Sequence, residues 1–87
     1  MKLLKFYTNT CGQCKALSKI LENFNLIPVE AINCEEDPED LTTKFNIRSL
    51  PTLLLVDNDK ILKKFIGVTT KEELESVITQ ELNKNKE

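Results

Sequence analysis

Residues 52–56, Thr-Leu-Leu-Leu-Val, form an apolar run without polar alternation, the pattern of a strand buried on both faces. Such a strand needs a covering layer on each side, so the rest of the chain must supply neighbouring strands and packing helices. "KILKKFI" at residues 60–66 reads as a second strand, joined to the first through the polar "DND" of a tight hairpin and ended by Gly67. "KLLKFYT" at residues 2–8 is a third strand, and "PVEAIN" at 28–33 a weaker fourth. Ala16, Leu17, Ile20, Leu21 and Phe24 recur at helical spacing, with Lys15, Lys19, Glu22 and Asn23 on the other face, which predicts an amphipathic helix ending near Asn25.

In "DPEDLTTKFN", Asp37 is the expected N-cap and Pro38 the first helical residue of a short helix ending near Asn46, with Leu41 and Phe45 turned inward. Thr70 and Glu73 have capping-box spacing ahead of Leu74, Val77, Ile78 and Leu82, predicting a last amphipathic helix before a frayed "NKNKE" tail. The order βαβαββα implies an α/β fold: a four-stranded mixed sheet with helices on both faces, its first two strands parallel through a right-handed crossover. One domain over residues 1–87 is expected.

Apolar residues make up 40% and charged residues 30%, with a net charge of −2, a balance that suggests neither disorder nor a basic nucleic-acid surface. The opening "MKLLKFYTNT" holds only a broken apolar run, and nothing approaches the roughly 18 apolar residues of a membrane span. The expectation is a protein neither secreted nor bound to membrane. Three cysteines are too few for a disulfide framework, which points to the cytoplasm and to catalytic use of the thiols.

Two of those cysteines sit three apart in "TNTCGQC", at the junction between the first strand and the first helix. A structural zinc site needs about four ligands, and the chain offers three sulfurs and no histidine, so no metal is expected. A bridge over so short a loop removes little unfolded-state entropy, which weakens the reading as an inert staple. Redox chemistry has a mechanism: a cysteine at a helix N-terminus faces unpaired amide N–H groups and the positive end of the dipole, both of which favour thiolate. Cys11 is that residue, Cys14 lies one turn inward where it can resolve a mixed disulfide, and Gly12 and Gln13 form the intervening turn.

With these residues in view, the chain resembles the thioredoxin family over nearly its whole length. "CGQCKAL" is similar to the family's active site with Gln13 in place of the usual proline, "NIRSLPTLLLV" is similar to the segment holding its cis-proline, and Gly67 matches the glycine of its substrate-groove loop. The resemblance implies a thioredoxin fold of glutaredoxin-like size, without the extra N-terminal strand and helix of longer members. It further implies that Cys11 attacks a substrate disulfide and Cys14 resolves, that Pro51 is cis and packs beside the sulfurs, that the Leu50 backbone pairs with substrate, and that Gly67 and Val68 line the groove. No bound cofactor is implied, since the Cys11–Cys14 pair carries the electrons; a thioredoxin-reductase-like flavoprotein would restore it.

Besides Gln13, the sequence departs from the family pattern at three places. Thr10 stands where tryptophan is usual, Lys5 where a buried acid is usual, and Ala31 where that acid's lysine partner falls. Lys5 is thus a candidate modulator of cysteine ionisation; the alternative is an aliphatic stem packed in the core with its ammonium in solvent. Glutaredoxins are the near competitor, but "SLP" and "IGVTT" replace their usual glutathione-site segments, whereas Gln13 suits a glutaredoxin-like electron donor to ribonucleotide reductase. A non-catalytic, redox-sensitive interaction module is the alternative from a different class.

Cys34, beyond the second strand, is a candidate accessory thiol at the active edge or a small packed hydrophobe. Tyr7 reads as core or rim, the acidic run "CEEDPED" as a capping and solvated stretch, and Arg48 as a loop charge able to steer acidic substrates. The expected partners are disulfide-containing proteins, with neither nucleic acid nor membrane, and the expected state is a monomer.

Overall fold

The computed structural model describes residues 1–58 and 60–84; Asp59, in the stretch expected to form the hairpin turn, and the last three residues of the expected frayed tail lie outside them. The elements are β1 (Lys2–Tyr7), α1 (Gly12–Leu21), β2 (Val29–Asn33), a 3-10 turn (Cys34–Glu36), α2 (Leu41–Lys44), β3 (Thr52–Asp57), β4 (Lys60–Ile66) and α3 (Lys71–Lys84). They build an α/β fold around one mixed sheet in the order β2-β1-β3-β4. β1 runs parallel to β2 and antiparallel to β3, and β3 antiparallel to β4.

The alternation of side chains along β1 and β3 splits the core in two. Leu3, Leu53 and Leu55 point to one face, where they meet Leu17, Leu21 and Phe24 from the first helical segment and Leu74 and Ile78 from α3. Leu4, Phe6, Leu54 and Val56 point to the other, where Leu41, Phe45, Ile47 and Leu50 cover them. β3 is therefore enclosed on both sides, as its unbroken apolar run requires. A bulge in the pairing of β3 with β4 between Leu55 and Val56 lets Leu62 and Phe65, three residues apart, both pack on the α1 side. Lys60, Lys63 and Lys64 are exposed along this edge strand, a charge pattern that discourages further strand pairing.

Two helices differ from expectation. α1 stops at Leu21 and not near Asn25, because the chain tightens into a turn in which Phe24 N–H donates to Leu21 O at 3.1 Å; Phe24 still reaches the core from that turn. Its buried stripe is also narrower than the sequence suggests, since Ala16 is exposed and Ile20 half-buried. The second helix does not begin at Pro38. Asp40 adopts a left-handed conformation (φ 54°) that interrupts any helix there, and only Leu41–Lys44 are α-helical. Asp37 nevertheless caps it from across the turn: its carboxylate accepts from Leu41 N–H at 3.0 Å, Thr42 N–H at 2.7 Å and the Thr42 hydroxyl at 2.7 Å. At α3, Glu73 N–H donates to Thr70 Oγ1 as the capping-box spacing predicts, while the Glu73 carboxylate turns to the Thr69 hydroxyl at 2.8 Å instead of the Thr70 amide.

The backbone hydrogen bond from Thr42, with those from its hydroxyl and from Leu41 and Asp40, holds the Asp37 carboxyl below its ordinary value of 3.8, against some desolvation. A depressed carboxylate contributes stability above the unfolded-state value and loses it as pH falls through the folded-state value. Asp37→Ala is accordingly expected to lower the melting temperature at neutral pH, with the deficit shrinking once pH drops below 3.8. Parallel thermal melts of the two proteins across the acidic range measure this, and a deficit independent of pH would dismiss the carboxylate's role.

Candidate active site

One end of the sheet collects the chemistry-bearing residues, and the strand register shows why. Tyr7, the last residue of β1, pairs with Asn33, the last of β2; Phe6 pairs with Thr52, the first of β3; and Thr52 pairs with Ile66, the last of β4. The segments that follow or precede those residues hold Cys11, Cys34, Pro51 and Gly67. A hollow of about 460 Å³ lined by Met1, Lys2, Pro28, Val56 and Asn58 lies at the other end of the sheet and contains none of them.

From Tyr7 the chain turns through Thr8–Thr10, with Cys11 N–H donating to Thr8 O, and enters α1 at Gly12. Cys11 is the N-cap. Its Sγ accepts from Cys14 N–H at 3.2 Å, so a backbone amide of the first turn already points at the sulfur. Cys11 and Cys14 are joined as a disulfide with their Cα atoms 5.2 Å apart. The two sulfurs are unequal in access: Cys11 is half-buried, whereas Cys14 is only 3% exposed. No acidic residue occupies the first turn of α1, so no carboxylate there opposes the preference of a helix N-terminus for negative charge. Gly12 and Gln13 are exposed in that first turn, and a Cβ at Gly12 would meet nothing within 4 Å.

Pro51 is buried at the head of β3 and the Leu50–Pro51 peptide bond is cis. Its carbonyl accepts from Gly67 N–H at 2.9 Å, tying the proline loop to the end of β4. Leu50 is half-buried and packs on the α2 side of the sheet, while Ile66 and Val68, on either side of Gly67, are 66% and 46% exposed. Arg48 is exposed, with its Nε donating to Asn46 Oδ1 at 3.2 Å. Cys34 is a free, half-buried thiol packed beside the cluster of Leu4, Phe6 and Ile32, the face of the sheet opposite α1. Among the described residues no group of three or more cysteines and carboxylates is arranged to hold a metal, and no helix is long and apolar enough to cross a membrane.

Lys5 lies on the α1 face of the central strand, between Ala31 and Leu53 of the neighbouring strands. Its ammonium neither pairs with a carboxylate among the described residues nor simply extends into solvent: Nζ donates to Ser18 Oγ at 2.8 Å and sits 5.2 Å from the Tyr7 ring centroid. Ser18 Oγ in turn donates to the Cys14 carbonyl at 3.0 Å. Ser18 is the one member of this cluster that the sequence reading did not select. Its signal was its position four residues after Cys14, on the same helical face.

A half-exposed sulfur at a helix N-terminus, bonded to a buried sulfur one turn on, defines a dithiol redox centre on a thioredoxin-like fold, and so a thiol-disulfide oxidoreductase. The Thioredoxin family model matches residues 1–80, and the chain belongs to the thioredoxin family. The thioredoxin of Alicyclobacillus acidocaldarius is 34% identical over 85 residues, spanning 92% of this chain and 80% of that protein. That of Buchnera aphidicola subsp. Acyrthosiphon pisum is 35% identical over 86 residues, spanning 93% and 79%. The solved structure of thioredoxin 1 from Thermosipho africanus superposes with a TM-score of 0.79 at 25% identity, covering 100% of both chains. The redox group of this chain is its own cysteine pair, and its family implies protein disulfides as substrates.

Gly67 has φ 83°, a left-handed conformation that penalises a Cβ even though a methyl there would meet nothing within 4 Å. Gly67→Ala is expected to destabilise by about 1 kcal/mol through backbone strain alone, with Gly67→Asn less costly. Urea midpoints read the difference, and an alanine variant as stable as the parent would contradict a strained left-handed position.

Proposed function

We propose that the protein reduces protein disulfides in the cytoplasm, with Cys11 as the attacking and Cys14 as the resolving thiol. The observation that carries this assignment is the inequality of the two sulfurs: the more accessible one sits at the helix N-terminus, and the other is buried behind it. The Cys11 thiolate attacks a substrate sulfur, the substrate S–S bond breaks, and one substrate sulfur leaves as a thiolate that takes a proton from water. Cys14, as thiolate, then attacks Cys11 Sγ and the second substrate sulfur leaves. The protein is left as the Cys11–Cys14 disulfide, having given up two electrons. A thioredoxin-reductase-like flavoprotein returns them.

In this reading the substrate segment lies extended along the Leu50 backbone and beside Pro51, with Gly67 and Val68 on its other flank. The exposure of Ile66 and Val68 at the same end of the sheet supports an apolar rim there. Residues 1–87 act as one domain and one monomer, and no separate role is needed for Cys34.

Cys11→Ser is expected to abolish insulin-disulfide reduction, and Cys14→Ser to accumulate a mixed disulfide between Cys11 and a substrate cysteine. Non-reducing electrophoresis with mass spectrometry detects that adduct. Turnover by either serine variant at the parent's rate would reject the two roles, and partner binding undisturbed in the double variant would favour the interaction-module reading.

A further inference from the structure

The Cys14 sulfur presents a physical difficulty. It is almost fully buried, and burial disfavours the thiolate that must form when it resolves a mixed disulfide. The helix N-terminus and the Cys14 amide are directed at Cys11, so they do little for the second sulfur. Beneath Cys14 lies the chain from Lys5 Nζ to Ser18 Oγ to the Cys14 carbonyl, with bonds of 2.8 and 3.0 Å. The serine has a single proton and spends it on the carbonyl, so it receives the ammonium proton through a lone pair, which fixes the direction of both bonds. The neighbours of Lys5 in the sheet, Ala31 and Leu53, are uncharged, and among the described residues no carboxylate forms an ion pair with it. Its positive charge is held in place and unneutralised on the side of α1 that carries Cys14.

We propose that Lys5, held by Ser18, is a positioning residue whose fixed positive charge favours the Cys14 thiolate, and so stabilises the reduced form of the protein and speeds resolution. This inference rests on the oxidoreductase reading above and adds to it a determinant of the redox balance. Its sign follows directly. In reduction by glutathione, two glutathione thiols are oxidised to one glutathione disulfide, the Cys11–Cys14 bond breaks, and the two protons released pass to the protein sulfurs, or to buffer where a sulfur persists as thiolate. A cation that favours thiolate acts only on the reduced product, because the disulfide carries no charge. Removing it shifts the equilibrium toward the disulfide and makes the potential more negative. A thiolate favoured in this way is somewhat less nucleophilic, but the gain in its population outweighs that loss.

The test compares wild type, Lys5→Met, Lys5→Arg and Ser18→Ala, each equilibrated in glutathione redox buffers from neutral to alkaline pH so that the range in which the Cys14 thiolate is populated is covered, with melts of the oxidised proteins as a control for packing. Methionine matches the apolar stem of the side chain as far as Cε and removes the ammonium with its charge and donors. Lys5→Met is expected to shift the equilibrium constant toward the disulfide several-fold, up to roughly tenfold, a change of about 30 mV. Lys5→Arg should return it to within about twofold of wild type, and Ser18→Ala, which frees the ammonium, should fall between. The shift is expected whether the oxidised Lys5→Met protein melts higher or lower than wild type. A Lys5→Met midpoint within about twofold of wild type overturns the inference, as does a Lys5→Arg midpoint equal to that of Lys5→Met. Either result would leave the oxidoreductase reading intact, whereas absence of any reversible two-electron transition in wild type would remove both.

Discussion

The packing of Leu17 and Leu21 against Leu3, Leu53 and Leu55 is the contact on which the rest of the site depends. It fixes α1 over the two central strands, and because Cys14, Leu17 and Leu21 share one stripe, seating the leucines also buries Cys14. Cys11, one residue before the helix, is then left at the rim. The difference in access between the sulfurs is therefore a consequence of core packing, not a separate arrangement at the surface. A large-to-small change at Leu17 would create a cavity costing about 2–5 kcal/mol and would loosen the seat of Cys14 together with the fold.

The sheet places the remaining groups by topology. Antiparallel pairing of β3 with β1 brings the start of β3, and with it Pro51, to the end of β1 from which Cys11 follows. The hairpin then returns β4 to that same end, where Gly67 donates to the Pro51 carbonyl. Three segments far apart in sequence meet because strand direction leaves no other placement. Cys34 arrives at this end too, but from the 3-10 turn after β2 it packs against Leu4, Phe6 and Ile32 on the face opposite α1, so a shared end of the sheet does not by itself place it with the other two cysteines.

Much of this was legible in the sequence where the signal is periodic or local. The unbroken apolar run of β3, the capping residues of α3 and the cysteine spacing at a strand-to-helix junction each carry their own physical meaning. The extent of α2 was not legible, because it turns on a left-handed Asp40 that lets Asp37 cap from four residues away, and nothing in "DPED" distinguishes that geometry from an ordinary helix start. The environment of Lys5 was not legible either. Its partner Ser18 lies on another element, and only the register of β1 beneath α1 brings the two within hydrogen-bonding distance.

Charge guards much of the β4 edge. Along Lys60–Ile66 the backbone of an edge strand is available for pairing, and Lys60, Lys63 and Lys64 make approach by another strand unfavourable. Beyond the last of these lysines the protection ends: Ile66 and Val68 are exposed with only glycine between them, beside the proline loop. In a chain of 87 residues with a modest core, the exposed part of an isoleucine or valine adds little to folding and raises the risk of association. Ile61, at the other end of β4, is 45% exposed as well, but Ile66 and Val68 are the pair that shares its location with the accessible sulfur and the proline loop.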